Sequence, residues 1–207
     1  MVILYYNYSM NAKSKSGKAT EKQLYKNLRH LGVPKKQIFR NVYVPKYDGK
    51  FAEIDLLVLS KKGLLVFECK NFQGKIYGDG HKATWYKCSA GKRYPFVNPV
   101  IQNAGHIKYL LKYFHKLGLL PVYSFIVVGE NGKWMTKNIR KEICFVRQFS
   151  DFSKRYSSLE NSPIIAQNYY SIMSELKGMK LGLFKKVAHS RSVRRNSRKW
   201  RKRGRLF

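Results

Sequence analysis

FAEIDLLVLSKKGLLVFECKNFQGKIYG, residues 51–78, is the stretch on which the fold of this chain turns. Aliphatic and β-branched residues flank a polar, Gly-terminated turn, Ser60-Lys61-Lys62-Gly63. That pattern predicts two antiparallel strands, Phe51 to Leu59 and Leu64 to Cys69, joined as a hairpin. The hairpin carries acids. If the turn closes with an even number of loop residues, Asp55 lies opposite Glu68 and Glu53 opposite Lys70, and period-2 alternation puts all four on one face. Directly opposed residues hold their Cβ atoms about 5 Å apart. Two carboxylates so placed repel each other unless a cation lies between them, so the pattern points to a metal. A three-residue loop ending in a bulge at Gly63 would instead oppose Asp55 to Cys69 and turn the acids to different faces.

The acids are unusual in their setting. The chain has 207 residues and only 11 Asp and Glu, yet Asp48, Glu53, Asp55, Glu68 and Asp79 fall within 32 positions. Against them stand 42 Lys and Arg, for a formal charge of +31 and an isoelectric point near 10.2. Such a field concentrates polyanions, nucleic acid first and an anionic membrane surface second. An apolar content of 44% is enough for a packed core and one domain with appendages. No apolar run approaches the ~20 residues of a membrane span, and Met1 to Met10 is too short and too rich in Tyr and Asn for a secretory signal. The expectation is a soluble cytoplasmic protein. Cys69, Cys88 and Cys144 are odd in number and lack a CxxC spacing, which argues for reduced, structural thiols rather than disulfides or zinc.

In chain order, residues 1–16 read as a flexible leader, within which Met10 is an alternative start. From Thr20 to Leu31, Leu24, Leu28 and Leu31 recur at helical spacing, with Thr20 as N-cap and Gly32 as stop. Glu21 lies on the apolar side of that helix, either as a first-turn acid favoured by the helix dipole or as a site residue. A short strand over Ile38 to Val44 precedes the hairpin. Beyond it, Ile76 to Trp85 and Tyr94 to Val97 read as irregular or edge strands. Asn98 and Pro99 open a long helix, whose expected buried stripe is Ile107, Leu110, Leu111, Phe114 and Leu117. Gln102, His106, Tyr109 and Tyr113 follow a neighbouring face, directed toward the acids or toward water. Val122 to Gly129 reads as a strand buried on both faces, Ile143 to Val146 as a shorter one, and helices follow near Phe149 to Ser157 and from Pro163 to Leu176. The order predicts an α/β fold, a mixed sheet with helices on its faces.

Composition changes at Lys177. From there to Phe207 the chain has 13 Lys and Arg and no acid. Like charges repel and the segment has little apolar material, so it reads as a disordered or extended basic arm. Lys185, Lys186, Arg191, Arg194, Arg195, Arg198, Lys199, Arg201, Lys202, Arg203 and Arg205 are its candidate phosphate contacts, which give affinity and steep salt dependence rather than sequence choice. Trp200 among them is placed to stack on a base, or to be a solvated tail residue.

Glu21, then Ile54-Asp55, then Val66-Phe67-Glu68-Cys69-Lys70-Asn71 with Gly74 and Gly78, then Asn98-Pro99 and Gln102 occur in an order that resembles the nuclease-related domain, NERD. That family is a branch of the PD-(D/E)XK nuclease superfamily, and the similarity runs from about Gly17 to Gly129. One departure is Leu56, where relatives often have His. The resemblance implies a restriction-endonuclease-like fold and a Mg²⁺ (or Mn²⁺) site made by Asp55, Glu68 and the main-chain carbonyl of Cys69, whose side chain then points into the core. It implies that Lys70 orients or helps deprotonate the attacking water, that Glu21 positions the ion's water shell or a second ion, and that Gln102 reaches that water or the phosphate. Many relatives carry a helicase, kinase or zinc-finger module; none is visible in this sequence, and a protein partner stays open. The expected function is metal-dependent hydrolysis of DNA, with RNA as the other nucleic acid. The alternatives are a catalytically degenerate binding module of the same fold, and a peripheral protein seated on anionic lipid through Leu181, Leu183 and Phe184 beside Lys185 and Lys186.

Overall fold

The computed structural model describes residues 18–140, 144–146 and 148–179. The expected leader and the eleven candidate phosphate contacts of the arm lie outside these residues. A central sheet has the order β1-β2-β3-β7-β9. Its strands are β1 (Ile38–Pro45), β2 (Phe51–Ser60), β3 (Gly63–Lys70), β7 (Val122–Val128) and β9 (Cys144–Val146). The first three form an antiparallel meander, and β7 and β9 add in parallel, so the sheet is mixed. β3 is buried along its whole length, as a strand covered on both faces must be.

Helices cover both faces. On one side α2 (Pro99–Tyr113) and α4 (Pro163–Met179) meet the sheet through Leu110, Ile165, Ile172 and Leu176 packed on Leu57, Leu59, Leu64 and Val66. On the other, α1 (Lys18–His30) and α3 (Phe149–Ser157) meet it through Leu24, Leu28 and Phe152 packed on Leu56, Val58, Leu65 and Phe67. This is the expected α/β sandwich of restriction-endonuclease-like type. The last helix continues to Met179, which is buried in the core, three residues beyond the expected end at Leu176. Among the described residues no helix is long and apolar enough to cross a membrane.

The segment read as irregular or edge strands is a second sheet. β4 (Gly74–Asp79), β5 (Thr84–Ser89) and β6 (Lys92–Val97) form a meander, and β8 (Gly132–Lys137), which the sequence pattern did not announce, adds to β4 in parallel. Ile76, Trp85 and Trp134 pack its inner face against Ile126, Val128 and Val100. Gly78 is required there, because a Cβ would stand 2.4 Å from the Trp85 ring. This packing also explains a departure in α2. With its first turn pressed on the second sheet, Val100, Asn103, His106 and Leu110 form the buried stripe, and Leu111 is exposed.

The central sheet is kinked beside the acids. On β2, Ile54 joins the same core cluster as Leu57 and Leu59; on β1, Val42 and Val44 join that of Phe39. The inward-facing parity therefore changes between 39 and 42 and, across the ladder, between 54 and 57, while the register stays in step from Ile38 opposite Val58 to Pro45 opposite Phe51. Asn41 sits at the change with a φ of 52°, a left-handed conformation that Asn tolerates better than most side chains.

Candidate active site

The hairpin closes through the two residues Lys61 and Lys62, with Ser60 opposite Gly63, and stays in step to Leu56 opposite Phe67. The even-loop register holds. The ladder ends there, one residue short of Asp55, and the Asp55 side chain takes over from the backbone: its Oδ2 accepts the Cys69 N–H, next to Glu68 in the chain, at 2.8 Å. Lys70 directs its carbonyl toward β7, where it accepts from Gly129 N. Cys69, one residue earlier, therefore directs its own carbonyl toward β2, past the end of the paired ladder. Its side chain is buried in the core beneath α1 and α3.

Glu68 is completely buried. Its Oε1 accepts a 2.5 Å hydrogen bond from Lys70 Nζ, which also donates to Gln102 Oε1 at 2.9 Å. Its Oε2 lies 3.4 Å from His106 Nδ1 and makes no hydrogen bond. The face of α2 that carries Gln102 and His106 thus looks toward the acids, not toward water. His106 was visible to sequence reasoning only as one turn beyond Gln102 on that face; nothing in the pattern separated a site histidine from a solvated one. Asn98 and Asn103 fix the helix in place. Asn98 caps it, its Oδ1 accepting from Val100 N while its Nδ2 donates to the Lys82 carbonyl at 2.9 Å. Asn103 Nδ2 donates to the Val66 carbonyl and the Ser124 hydroxyl, tying α2 to β3 and β7.

Not every candidate converges. Glu53 was expected on the Glu68–Lys70 face, opposite Lys70. The parity change at Asn41 turns it away, and it accepts instead from the hydroxyl of Tyr43, its partner on β1. Glu21 occupies the first turn of α1, 4.0 Å from Arg40, on the side of the sheet that holds Cys69. The candidates therefore divide: Glu68, Lys70 and Gln102 form a bonded chain on the α2 side, Glu21 lies on the α1 side, and Asp55 stands at the kink between them.

Burial is the largest influence on Lys70 and acts to release its proton, but Glu68, its hydrogen bond, Asp55 and Cys69 together outweigh it. The net shift is upward and Lys70 is held as a cation. The Cys69 thiol is pushed well above its ordinary range by burial first, then by Asp55, Glu21 and Glu68. It is no nucleophile, and the three carboxylates it senses are those the sequence singled out. Tyr43 is pushed up to about 12 by burial and by Glu53. Unfolded Tyr ionises near 10.0, so below that pH both states keep the proton and the contribution is complete; it is lost as pH rises toward 12. Urea unfolding at about pH 8 and about pH 11 should show an alkaline loss of stability that is smaller in Tyr43→Phe.

These groups suit a hard divalent cation. Asp55 and Glu68 could supply oxygens, Glu68 Oε2 is buried without a hydrogen bond, with His106 Nδ1 3.4 Å away, and the Cys69 carbonyl is directed to the same end of the ladder. Among the described residues no three His, Cys, Asp or Glu side chains close on one point. A half-open set of two carboxylates and a main-chain oxygen fits an ion that keeps waters and substrate oxygens in its shell.

An uncharacterised protein of Bacillus anthracis is 37% identical to this chain over 92 residues, 44% of this chain and 43% of that protein. The chain thus spans less than half the length of that curated relative. No solved structure matches it. The nuclease-related domain profile matches residues 16–129, more than half the chain and the whole of the Glu21, Asp55, Glu68, Lys70 and Gln102 constellation; the chain belongs to the nuclease-related domain family, within the PD-(D/E)XK superfamily.

Proposed function

We propose that this protein is a metal-dependent nuclease that hydrolyses phosphodiester bonds of DNA. The observation that carries the reading is Glu68: a fully buried carboxylate with one oxygen on Lys70 and the other without a hydrogen bond, next to Asp55, in a chain of charge +31. A buried charge is costly unless it is compensated, and Asp55 adds a second negative charge nearby. Asp55, Glu68 and the Cys69 carbonyl would hold Mg²⁺ or Mn²⁺, which supplies Lewis-acid polarisation of the phosphoryl group and acidifies the attacking water.

The remaining steps fall to side chains. Lys70, kept cationic, stabilises negative charge growing on the phosphate oxygens and orients the attacking water. Gln102 fixes the direction of that ammonium by accepting a hydrogen bond from it. Glu21, on the α1 side of the sheet, would order the ion's outer waters. The overall positive charge draws the nucleic-acid backbone in. Purified protein should therefore cut plasmid or single-stranded DNA with Mg²⁺ or Mn²⁺, not in EDTA, and Asp55→Ala should abolish the cutting. DNA that is bound but left intact by the wild type with every metal would favour the degenerate binding module.

A further inference from the structure

The second sheet turns Ile76, Trp85 and Trp134 to the core and its other face to solvent. Register fixes what that outer face displays. Tyr77 is paired with Tyr86 on one side and Met135 on the other, and Tyr86 with Pro95. Met135, Tyr77, Tyr86 and Pro95 therefore form one row across all four strands, with Tyr77 40% and Met135 47% exposed. The adjacent row on the same face contains Lys133, Lys75 and Arg93. The Arg93 guanidinium lies over the Tyr86 ring, 3.6 Å from its centroid, so two flat surfaces, Tyr77 and the Arg93–Tyr86 stack, stand beside a line of cations. β4 starts four residues after Lys70, and β8 four residues after Val128, the register partner of Lys70. Both strands grow from the strand ends that carry the candidate active site.

We propose that this face is a stacking platform for single-stranded nucleic acid. Every base has a π face, and bases stack on aromatic rings and on guanidinium planes, provided they are not already stacked inside a duplex. Tyr77 and the Arg93–Tyr86 stack take bases, and Lys75 and Lys133 meet the phosphates. A duplex would use the cations and leave the exposed ring and thioether idle. An apolar protein surface would use the first row but would bury the cations unpaired. The inference rests on reading the chain as directed at nucleic acid, and it assigns the strand form that the site engages.

Binding of the full chain is measured in EDTA, so the result does not depend on hydrolysis: a chain that never cuts can still stack single strands, and one that cuts can fail to. With salt at about 0.3 M to suppress the general phosphate attraction, a labelled oligothymidylate of about 20 nucleotides should bind more tightly than a duplex of the same length. The double variant Tyr77→Ala/Tyr86→Ala, which removes both rings and keeps Lys75, Arg93 and Lys133, should weaken single-strand binding about tenfold and leave duplex binding nearly unchanged, while Tyr77→Phe keeps wild-type affinity. Photo-crosslinking of the unaltered chain to a 5-iodouracil oligonucleotide, read by mass spectrometry, should mark Tyr77 or Tyr86. Equal losses for single strand and duplex, no loss at all, or crosslinks confined to residues outside 74–97 and 132–137 would overturn the proposal.

Discussion

Glu68→Ala should lower metal-dependent DNA cleavage by roughly 10²- to 10³-fold or more, the range seen when one preorganised electrostatic group is removed from an active site. The variant loses an oxygen donor to the cation and the carboxylate that holds Lys70 as a directed cation through a 2.5 Å hydrogen bond. Its affinity for DNA in EDTA should be unchanged or slightly higher, because the substitution deletes a negative charge from the place where a phosphate has to sit. Loss of cutting with retained binding separates a site defect from a folding defect. Cleavage at the wild-type rate would mean that the site lies elsewhere.

Lys70→Met should be the most destabilising change at the site. It leaves Glu68 fully buried without the ammonium that compensates it, and breaking a buried ion pair from one side costs about 3–5 kcal/mol. Glu68→Leu alone strands the Lys70 ammonium, less severely, because Gln102 and Asp55 remain near it. The double variant Glu68→Leu/Lys70→Met removes both charges and should recover most of the loss, since a packed apolar pair can match a buried ion pair in stability. Urea or thermal unfolding of the four proteins gives the coupling directly. Losses that simply add would show that the two side chains do not compensate each other.

Much of the hairpin was legible because its physics is local. A two-residue connection and apolar runs on both sides fix the register as far as Leu56 opposite Phe67, one step short of Asp55 and Glu68. Gly63 serves a different purpose from the bulge weighed in the sequence: a Cβ there would stand 2.5 Å from the Pro121 carbonyl, so glycine lets the chain leading into β7 pass close by. The position of Glu53 was not legible. Period-2 alternation assumes an unbroken strand, and one left-handed residue, Asn41, on the neighbouring strand changes the parity of both. The second sheet was hidden for another reason. Its strands are six residues long and mix aromatic, apolar and cationic residues on the outer face, which blurs the alternation, and β8 pairs with β4 across more than fifty intervening residues, a non-local pairing that no window of sequence contains. His106 belongs to the same class. Helical spacing placed it on the face of Gln102, but whether that face meets acids or water depends on how α2 is seated, and the seating is set by Asn98, Asn103 and the packing of Val100 on the second sheet.

The central claim is that Asp55 and Glu68 hold one divalent cation between them. Titration of Mn²⁺ into the full chain, with free Mn²⁺ followed by electron paramagnetic resonance, tests this without requiring turnover. The wild type and Glu53→Gln, whose carboxylate faces Tyr43 on the other side of the kink, should show the same saturable site, and Asp55→Ala and Glu68→Gln should each lose it. Equal Mn²⁺ binding in all four proteins would contradict the account.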